Sequence, residues 1–312
     1  MNQYDSRTIL WVPCMASIAA NGLVFEYDER GNASDPVILM IMGLGAQMIF
    51  WPEALCDLLA ARGFRVIRYD NRDVGLSTKL DHLGMPKVAL EAIKFALHLP
   101  LKAPYYVEDM ARDASAFLAA LRIARAHVVG ASMGGMVAQN LAAHAPAKVA
   151  TLTSIMSTTG SRRLPGPTAR ARKALLSGPR KVATPEVAIA HLMKLLRVIG
   201  SRTHPMEEGE LRAFCERQVL RSQYPAGAAR QLVAIAASGD RTAVVRRIKV
   251  PTLVIHGDED PLLQPPCGEA TARAIYEGGG TVALEVIRGM GHDLPSPLHE
   301  RIADRIAAHC AS

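Results

Sequence analysis

Val128-Val129-Gly130-Ala131-Ser132-Met133-Gly134-Gly135-Met136 is the stretch whose reading decides the fold. A short apolar strand from Ala126 to Val129 runs into G-x-S-x-G and then into a helix from about Met133 to Ala145, with Ser132 at the apex of the turn. Such a turn brings strand and helix nearly into contact on either side of the serine, so positions 130 and 134 call for residues without a Cβ, and both are glycine. A lone G-x-S-x-G also occurs in ordinary glycine-rich connections. The rest of the chain therefore decides.

Upstream, Met15 to Ala20 and Leu23 to Tyr27 flank Asn21-Gly22, a type I′ turn signal that predicts an antiparallel hairpin. Residues 1 to 14 form a leader without periodicity, in which Trp11 and Val12 are candidates to pack on the body. Val37 to Met42 is a continuous apolar run of the kind buried on both faces of a parallel sheet, and it ends in Gly43-Leu44-Gly45. A helix from Pro52 to Arg62 and a strand from Phe64 to Tyr69 follow, closed by Asp70-Asn71-Arg72-Asp73-Val74-Gly75-Leu76-Ser77. Helical patterns cover Val88 to Leu99, stopped by Pro100, and Val107 to Leu121.

Downstream of the serine helix, Val149 to Met156 reads as a strand. The pattern then changes. Between Ser161 and Arg247 there are only helical segments, at Thr168 to Leu176, Pro185 to Ile199, Met206 to Leu220 and Ala226 to Ala237. Strands return at Pro251 to Gly257 and Val282 to Ile287, and a last helix runs from Pro297 to Cys310. Alternating strands and helices imply an α/β chain with a mostly parallel sheet covered by helices on both faces. Residues 1–160 and 248–312 form the expected core, and 161–247 an inserted helical lid without a core of its own.

Composition narrows the function classes. The 312 residues carry a formal charge of +7, and it is unevenly placed: Ser161 to Lys249 holds 18 Lys or Arg against 6 Asp or Glu, leaving 18 against 23 elsewhere. That excess is scattered over helical sequence with few aromatics, which disfavours nucleic acid and favours solvated helix faces, with attraction to anionic substrates or membrane surfaces second. The start of the chain is polar, with no secretory pattern, and no apolar run is long enough to span a bilayer, so a soluble cytoplasmic protein without stable membrane insertion is expected. Cys14, Cys56, Cys215, Cys267 and Cys310 show no C-x-x-C spacing, which predicts reduced thiols and neither a disulfide framework nor a metal site. The residues assign no oligomeric state.

A serine is a poor nucleophile at neutral pH; it needs an adjacent base, and the base needs a third group to orient it. Both partners are expected in loops at the carboxyl ends of later strands, the edge where Ser132 sits. His256-Gly257-Asp258-Glu259-Asp260-Pro261 follows one such strand and Arg288-Gly289-Met290-Gly291-His292-Asp293 the next. Asp258 and Glu259 read as turn residues, His256 ends a strand, and His127, His144 and His299 lie in strands or helices. Taken with Ser132, Asp260 and His292 give the chain order serine, acid, histidine.

With G-A-S-M-G, H-G-D-E-D-P, G-M-G-H and D-N-R-D-V-G-L-S in one order, the chain resembles an α/β-hydrolase with a helical cap, over nearly its whole length. Met42-Gly43-Leu44-Gly45 and Arg68 to Asp73 are most similar to capped bacterial esterases of the aclacinomycin-methylesterase type. The resemblance implies that Asp260 is the acid and that Asp70, Arg72 and Asp73 brace the sheet edge. It also implies an oxyanion hole made by the backbone N–H groups of Met133 and Leu44, supported by Gly43, Gly130 and Gly134. The family usually has His-Gly-x where this chain has Met42-Gly43-Leu44, so packing is expected to replace the bracing of that histidine.

The chemistry so implied is ester hydrolysis through an acyl-enzyme, with no cofactor and no metal. His292 must be neutral to act as base, so activity should fall as the pH drops through roughly 6 to 7, around the ordinary histidine value near 6.5. Met42, Met48, Met133 and Met290 lie in or near the expected pocket, pointing to a hydrophobic ester of short to medium length as the small-molecule substrate. Two alternatives stand beside this reading. An iminopeptidase-like amidase would use insert carboxylates, drawn from Glu186, Glu207, Glu208, Glu210, Glu216 and Asp240, to hold a free amine, and a non-catalytic relative would bind ligand without turnover.

Overall fold

The computed structural model describes residues 15–177 and 182–311. The leader with Trp11, Val12 and Cys14 lies outside the described residues. Eight strands form one sheet: β1 (Ala16–Ala20), β2 (Leu23–Arg30), β3 (Val37–Ile41), β4 (Arg65–Tyr69), β5 (Ala126–Ala131), β6 (Val149–Ile155), β7 (Thr252–Gly257) and β8 (Val282–Ile287). Their spatial order is β1-β2-β4-β3-β5-β6-β7-β8, antiparallel through β1, β2 and β4 and parallel from β4 onward. The Asn21-Gly22 turn closes the first hairpin, with φ of +50° and +74° as a type I′ turn requires.

The helices are α1 (Glu53–Ala61), α2 (Val88–Ala96), α3 (Val107–Ala120), α4 (Met133–His144), α5 (Ala169–Leu176), α6 (Pro185–Ile199), α7 (Glu208–Arg221), α8 (Pro225–Ser238), α9 (Thr242–Val245), α10 (Pro266–Glu277) and α11 (His299–Cys310). The continuous apolar run of β3 divides between two cores. Leu39 and Ile41 join side chains of α3, α4 and α10 on one face, while Ile38 and Met40 join α1 and α11 on the other. This is why β3 shows no polar alternation.

Between β6 and β7 the chain is helical. Within it α6 and α7 close a small apolar cluster of their own, from Ala188, Ile189, Met193, Leu211, Cys215 and Val219, a local core that the sequence reading did not foresee. The cause is that both helices are amphipathic and meet along their apolar stripes. The short α9, inside the stretch expected as insert, packs on α4 and α10 of the main body. The sequence reading also passed over α10, whose Pro265-Pro266-Cys267-Gly268 opening looks like a loop; proline is well suited to a helix's first turn. Helix α2 ends at Ala96 rather than near Leu99, because His98 turns to a φ of +58°.

Two buried carboxylates tie the helical segment to the sheet. Asp73 takes Arg230 of α8 through both oxygens at 2.8 Å, with Tyr105 Oη and Leu80 N each at 2.8 Å. Asp70 accepts from Met48 N and Leu76 N and pairs with Arg221 of α7 at 2.7 Å. Arg72 is turned the other way, onto Asp113 of α3. The loop thus has the bracing role expected of it, and it reaches further than the sheet edge.

Candidate active site

Ser132 sits between β5 and α4 with φ of +55°, a conformation that costs a non-glycine residue on the order of 1–3 kcal/mol unless its surroundings enforce it. They do. Ser132 N donates to Ile155 O at 3.0 Å, and Ser132 O accepts from Ser157 Oγ at 2.8 Å and from Gly135 N and Met136 N. The two motif glycines are required by close approach. A Cβ on Gly130 would stand 2.3 Å from Gly134 O, and one on Gly134 would stand 2.0 Å from Ile41 O. Gly134 is therefore demanded by the end of β3, a neighbour the motif itself does not reveal.

The three candidates meet. Ser132 Oγ lies 3.0 Å from His292 Nε2, and His292 Nδ1 lies 2.7 Å from Asp260 Oδ2. The other Asp260 oxygen accepts from Leu262 N at 2.8 Å and Leu263 N at 2.9 Å. Burial would raise the Asp260 carboxyl, but the charge and hydrogen bond of His292, with the His256 ring 3.6 Å away, outweigh it and hold it well below the usual carboxylate range. An ionised carboxylate at Nδ1 keeps the ring proton there, leaving Nε2 to accept from the serine hydroxyl.

The four histidines set aside in the sequence lie in the elements expected of them. His127 contacts Thr151, His144 contacts Asn140 O, His299 contacts Leu294 O, and His256 is buried against Leu263 O. Asp258 accepts from Gly289 N and so holds the histidine loop's turn.

Gly43 approaches the serine so closely that a Cβ there would be 3.1 Å from Ser132 Cβ, and Leu44 lines the same cavity. Met133 opens α4 directly after Ser132, so its N–H belongs to the positive end of that helix. The bracing of this loop differs from expectation. Asn71 Nδ2 donates to Met42 O at 2.9 Å, and Gln231 Oε1 of α8 accepts from Gly45 N at 2.8 Å. Side-chain hydrogen bonds, and not packing alone, stand in for the absent histidine.

Residues 199–203, from the last residue of α6 onward, cross both loops that carry Asp260 and His292. His292 N donates to Ile199 O at 2.8 Å, and Gly291 N donates to Ser201 Oγ at 2.8 Å. Ser201 Oγ and N in turn donate to Asp293. Glu259 accepts from Arg202 N at 2.7 Å, Thr203 N at 3.0 Å and Thr203 Oγ1 at 2.7 Å. Burial pushes the Asp293 carboxyl up, against the hydrogen bonds from Ser201. Sequence reasoning missed this strap; only the adjacency of Asp293 to His292 hinted at it.

Ser132 and His292 open on a cavity of about 1980 Å³ between the main body and the helices that follow β6. Phe50, Leu192, Phe214, Leu232 and Leu263 line it along with Leu44, making it predominantly apolar. Of the four methionines expected there only Met42 faces it; Met48, Met133 and Met290 are fully buried in the body. The described cysteines, Cys56, Cys215, Cys267 and Cys310, are free and buried.

A strained serine at a strand-to-helix turn, with an acid and a histidine delivered by the loops after β7 and β8, defines a class of protein that comparison with known chains identifies. Residues 36–294 match the family model of the alpha/beta hydrolase fold, and the chain belongs to that family. It is 30% identical over 302 residues to rhodomycin D methylesterase DauP of Streptomyces sp. strain C5, a match covering 89% of this chain and 92% of that one. Rhodomycin D methylesterase DnrP of Streptomyces peucetius is 29% identical over the same shares of the two chains. Among solved structures, the esterase RhEst1 from Rhodococcus sp. ECU1013 superposes with a TM-score of 0.72 at 20% identity, covering 96% of this chain and 98% of that one, a likeness of fold.

Proposed function

We propose that this protein is a serine hydrolase that cleaves hydrophobic carboxylic esters through an acyl-enzyme. The observation that carries this reading is the line Ser132 Oγ, His292, Asp260, at 3.0 and 2.7 Å, opening on a large apolar cavity. On it, Ser132 attacks the ester carbonyl while His292 takes its proton. The backbone N–H groups of Leu44 and Met133 receive the developing negative charge, and His292 returns the proton to the leaving alcohol. Water then repeats the sequence on the acyl-enzyme and releases the acid. The helices after β6 act as a cap that closes the acyl pocket.

The volume argues for a larger substrate than a short chain. Drug-sized ligands fill roughly 300–1,000 Å³, so this cavity has room for a large ester, and the two Streptomyces relatives are named as methylesterases. The iminopeptidase-like alternative loses support, since none of Glu186, Glu207, Glu208, Glu210, Glu216 and Asp240 lines the cavity. The test is hydrolysis of p-nitrophenyl esters from acetate to dodecanoate by the wild type and by Ser132→Ala. Turnover that falls by several orders of magnitude in the variant supports the reading, and equal rates in the two proteins would refute it.

A further inference from the structure

Helix α2 exposes an unusual amount of apolar surface. Its one buried residue is Glu91, which pairs with Lys94 at 2.6 Å and accepts from Lys102 N. Large apolar side chains of the helix and its flanks are nonetheless accessible. Met85, Leu90, Ile93, Phe95, Leu97 and Leu99 are all exposed, Leu97 by 63%, and Leu176, Val182 and Val187 are exposed on the segment that follows β6. Single exposed apolar residues are ordinary on a protein surface, whereas a cluster of them marks something that covers it.

Two further observations say what that is. First, the cluster rims the cavity. Met85, Phe95 and Leu176 are exposed and also line the cavity, as do Val88, Ala89 and Ala92 of α2, so the cluster and the cavity are contiguous. Second, the charge around the cluster is one-sided. Residues 82–102 and 161–177 carry eight Lys or Arg and one acidic residue, an excess of +7 that equals the formal charge of the whole chain, so everything else balances to zero. Lys87, Lys102, Arg162, Arg163, Arg170, Arg172 and Lys173 are all exposed. Arg162 joins the two stretches, stacking over the Phe95 ring at 4.3 Å and donating to Phe95 O at 3.1 Å.

We propose that this face docks reversibly on an anionic lipid surface. The apolar side chains of α2 enter the boundary between headgroups and acyl chains, and the surrounding Lys and Arg meet the headgroup charge. No described helix is long and apolar enough to cross a membrane, and this mode requires none. A second copy of the chain is a poor occupant, because two faces of +7 would repel each other. Docked this way, the rim of the cavity faces the lipid, and a hydrophobic ester passes from the lipid phase into the pocket without crossing water. Only that last step rests on the hydrolase reading; the docking does not.

The experiment is co-sedimentation of the full chain with vesicles of phosphatidylcholine alone and of equimolar phosphatidylcholine and phosphatidylglycerol, with p-nitrophenyl acetate hydrolysis followed in parallel. Binding is expected on the mixed vesicles only, with release by added salt. It should weaken roughly tenfold or more in Ile93→Asp/Leu97→Asp and in Arg170→Glu/Lys173→Glu, neither pair lying among the residues that line the cavity. Both variants should keep the wild-type circular dichroism and acetate hydrolysis. Absence of binding to either vesicle overturns the proposal, as does equal binding to both. It is likewise overturned if light scattering shows a dimer that Ile93→Asp/Leu97→Asp converts to monomer. Binding to mixed vesicles by a wild type that cleaves no ester supports the docking and removes the hydrolase reading alone.

Discussion

At the scale of the residue, the role proposed for Asp260 makes two demands that pull in different directions. It is buried, yet it must stay ionised to hold the imidazole; the charge and hydrogen bond of His292 keep it so, and Leu262 N and Leu263 N donate to its other oxygen. Because its carboxyl is held below the ordinary value, it remains charged as the pH falls through the range where a catalytic histidine protonates. The kcat/KM profile should therefore show a single ionisation on its acid side, and a second one above pH 4 would contradict the role given to Asp260. Replacing Asp260 by Asn frees the ring to take the wrong tautomer; a fall in kcat on the order of 10³- to 10⁴-fold is expected, with KM nearly unchanged.

How much of the site the sequence revealed also belongs to this scale. Ser132, Asp260 and His292 were legible because each occupies a short loop directly after a strand, and a loop in that place has few structural reasons to hold a serine, acid or histidine. Asn71 and Gln231 were not. Each acts through one hydrogen bond to the backbone of the Met42–Gly45 loop, and Gln231 does so across 186 residues of sequence. No local pattern encodes such a contact. The four methionines misled for a related reason, since proximity in sequence to the site says nothing about the side of the strand or helix on which a side chain falls.

At the scale of the element, the 199–203 strap makes the position of the proposed base depend on a segment beyond the sheet. Ser201→Ala removes both the acceptor for Gly291 N and a donor to Asp293. A small displacement of a reacting group can cost up to about 100-fold in rate, so kcat should fall about 10-fold or more while KM and thermal stability change little. Ser201→Thr, which keeps the hydroxyl, should restore most of the rate. If Ser201→Ala matched the wild type in kcat, the strap would be reduced to a packing contact. Helices were the easier elements to read, because their apolar period survives in the sequence; α10 escaped for its Pro-rich opening. The exposed apolar side chains of α2 were hidden too, since a periodic pattern tells which residues share a face and not whether that face is covered.

At the scale of the whole molecule, the buried Asp73–Arg230 pair is the joint between the sheet and α8, with both side chains almost fully removed from solvent. Burial would raise the Asp73 carboxyl, but Arg230, Leu80 N and Tyr105 outweigh it and hold it below its ordinary value of 3.8. A depressed carboxyl contributes stability that is fully present above pH 4 and is lost as the pH falls through the folded-state value. Acid unfolding monitored by circular dichroism should begin at higher pH in Asp73→Asn, which strands a buried guanidinium and should cost about 3–5 kcal/mol. A variant as stable as the wild type would show that the pair is not the joint. The same clamp positions Gln231 on α8, so the helical segment and the loop beside Ser132 are expected to loosen together.

All of this converges on the reactivity of one hydroxyl, which can be measured without knowing the natural substrate. The protein is incubated with a fluorophosphonate, and the adduct is located by intact mass and peptide mapping in the wild type, Ser132→Ala and His292→Ala. A single adduct on Ser132 is expected, absent from Ser132→Ala and formed much more slowly in His292→Ala. An unmodified Ser132, or an adduct on another residue in a protein that still cleaves esters, would contradict the assignment of Ser132 as nucleophile.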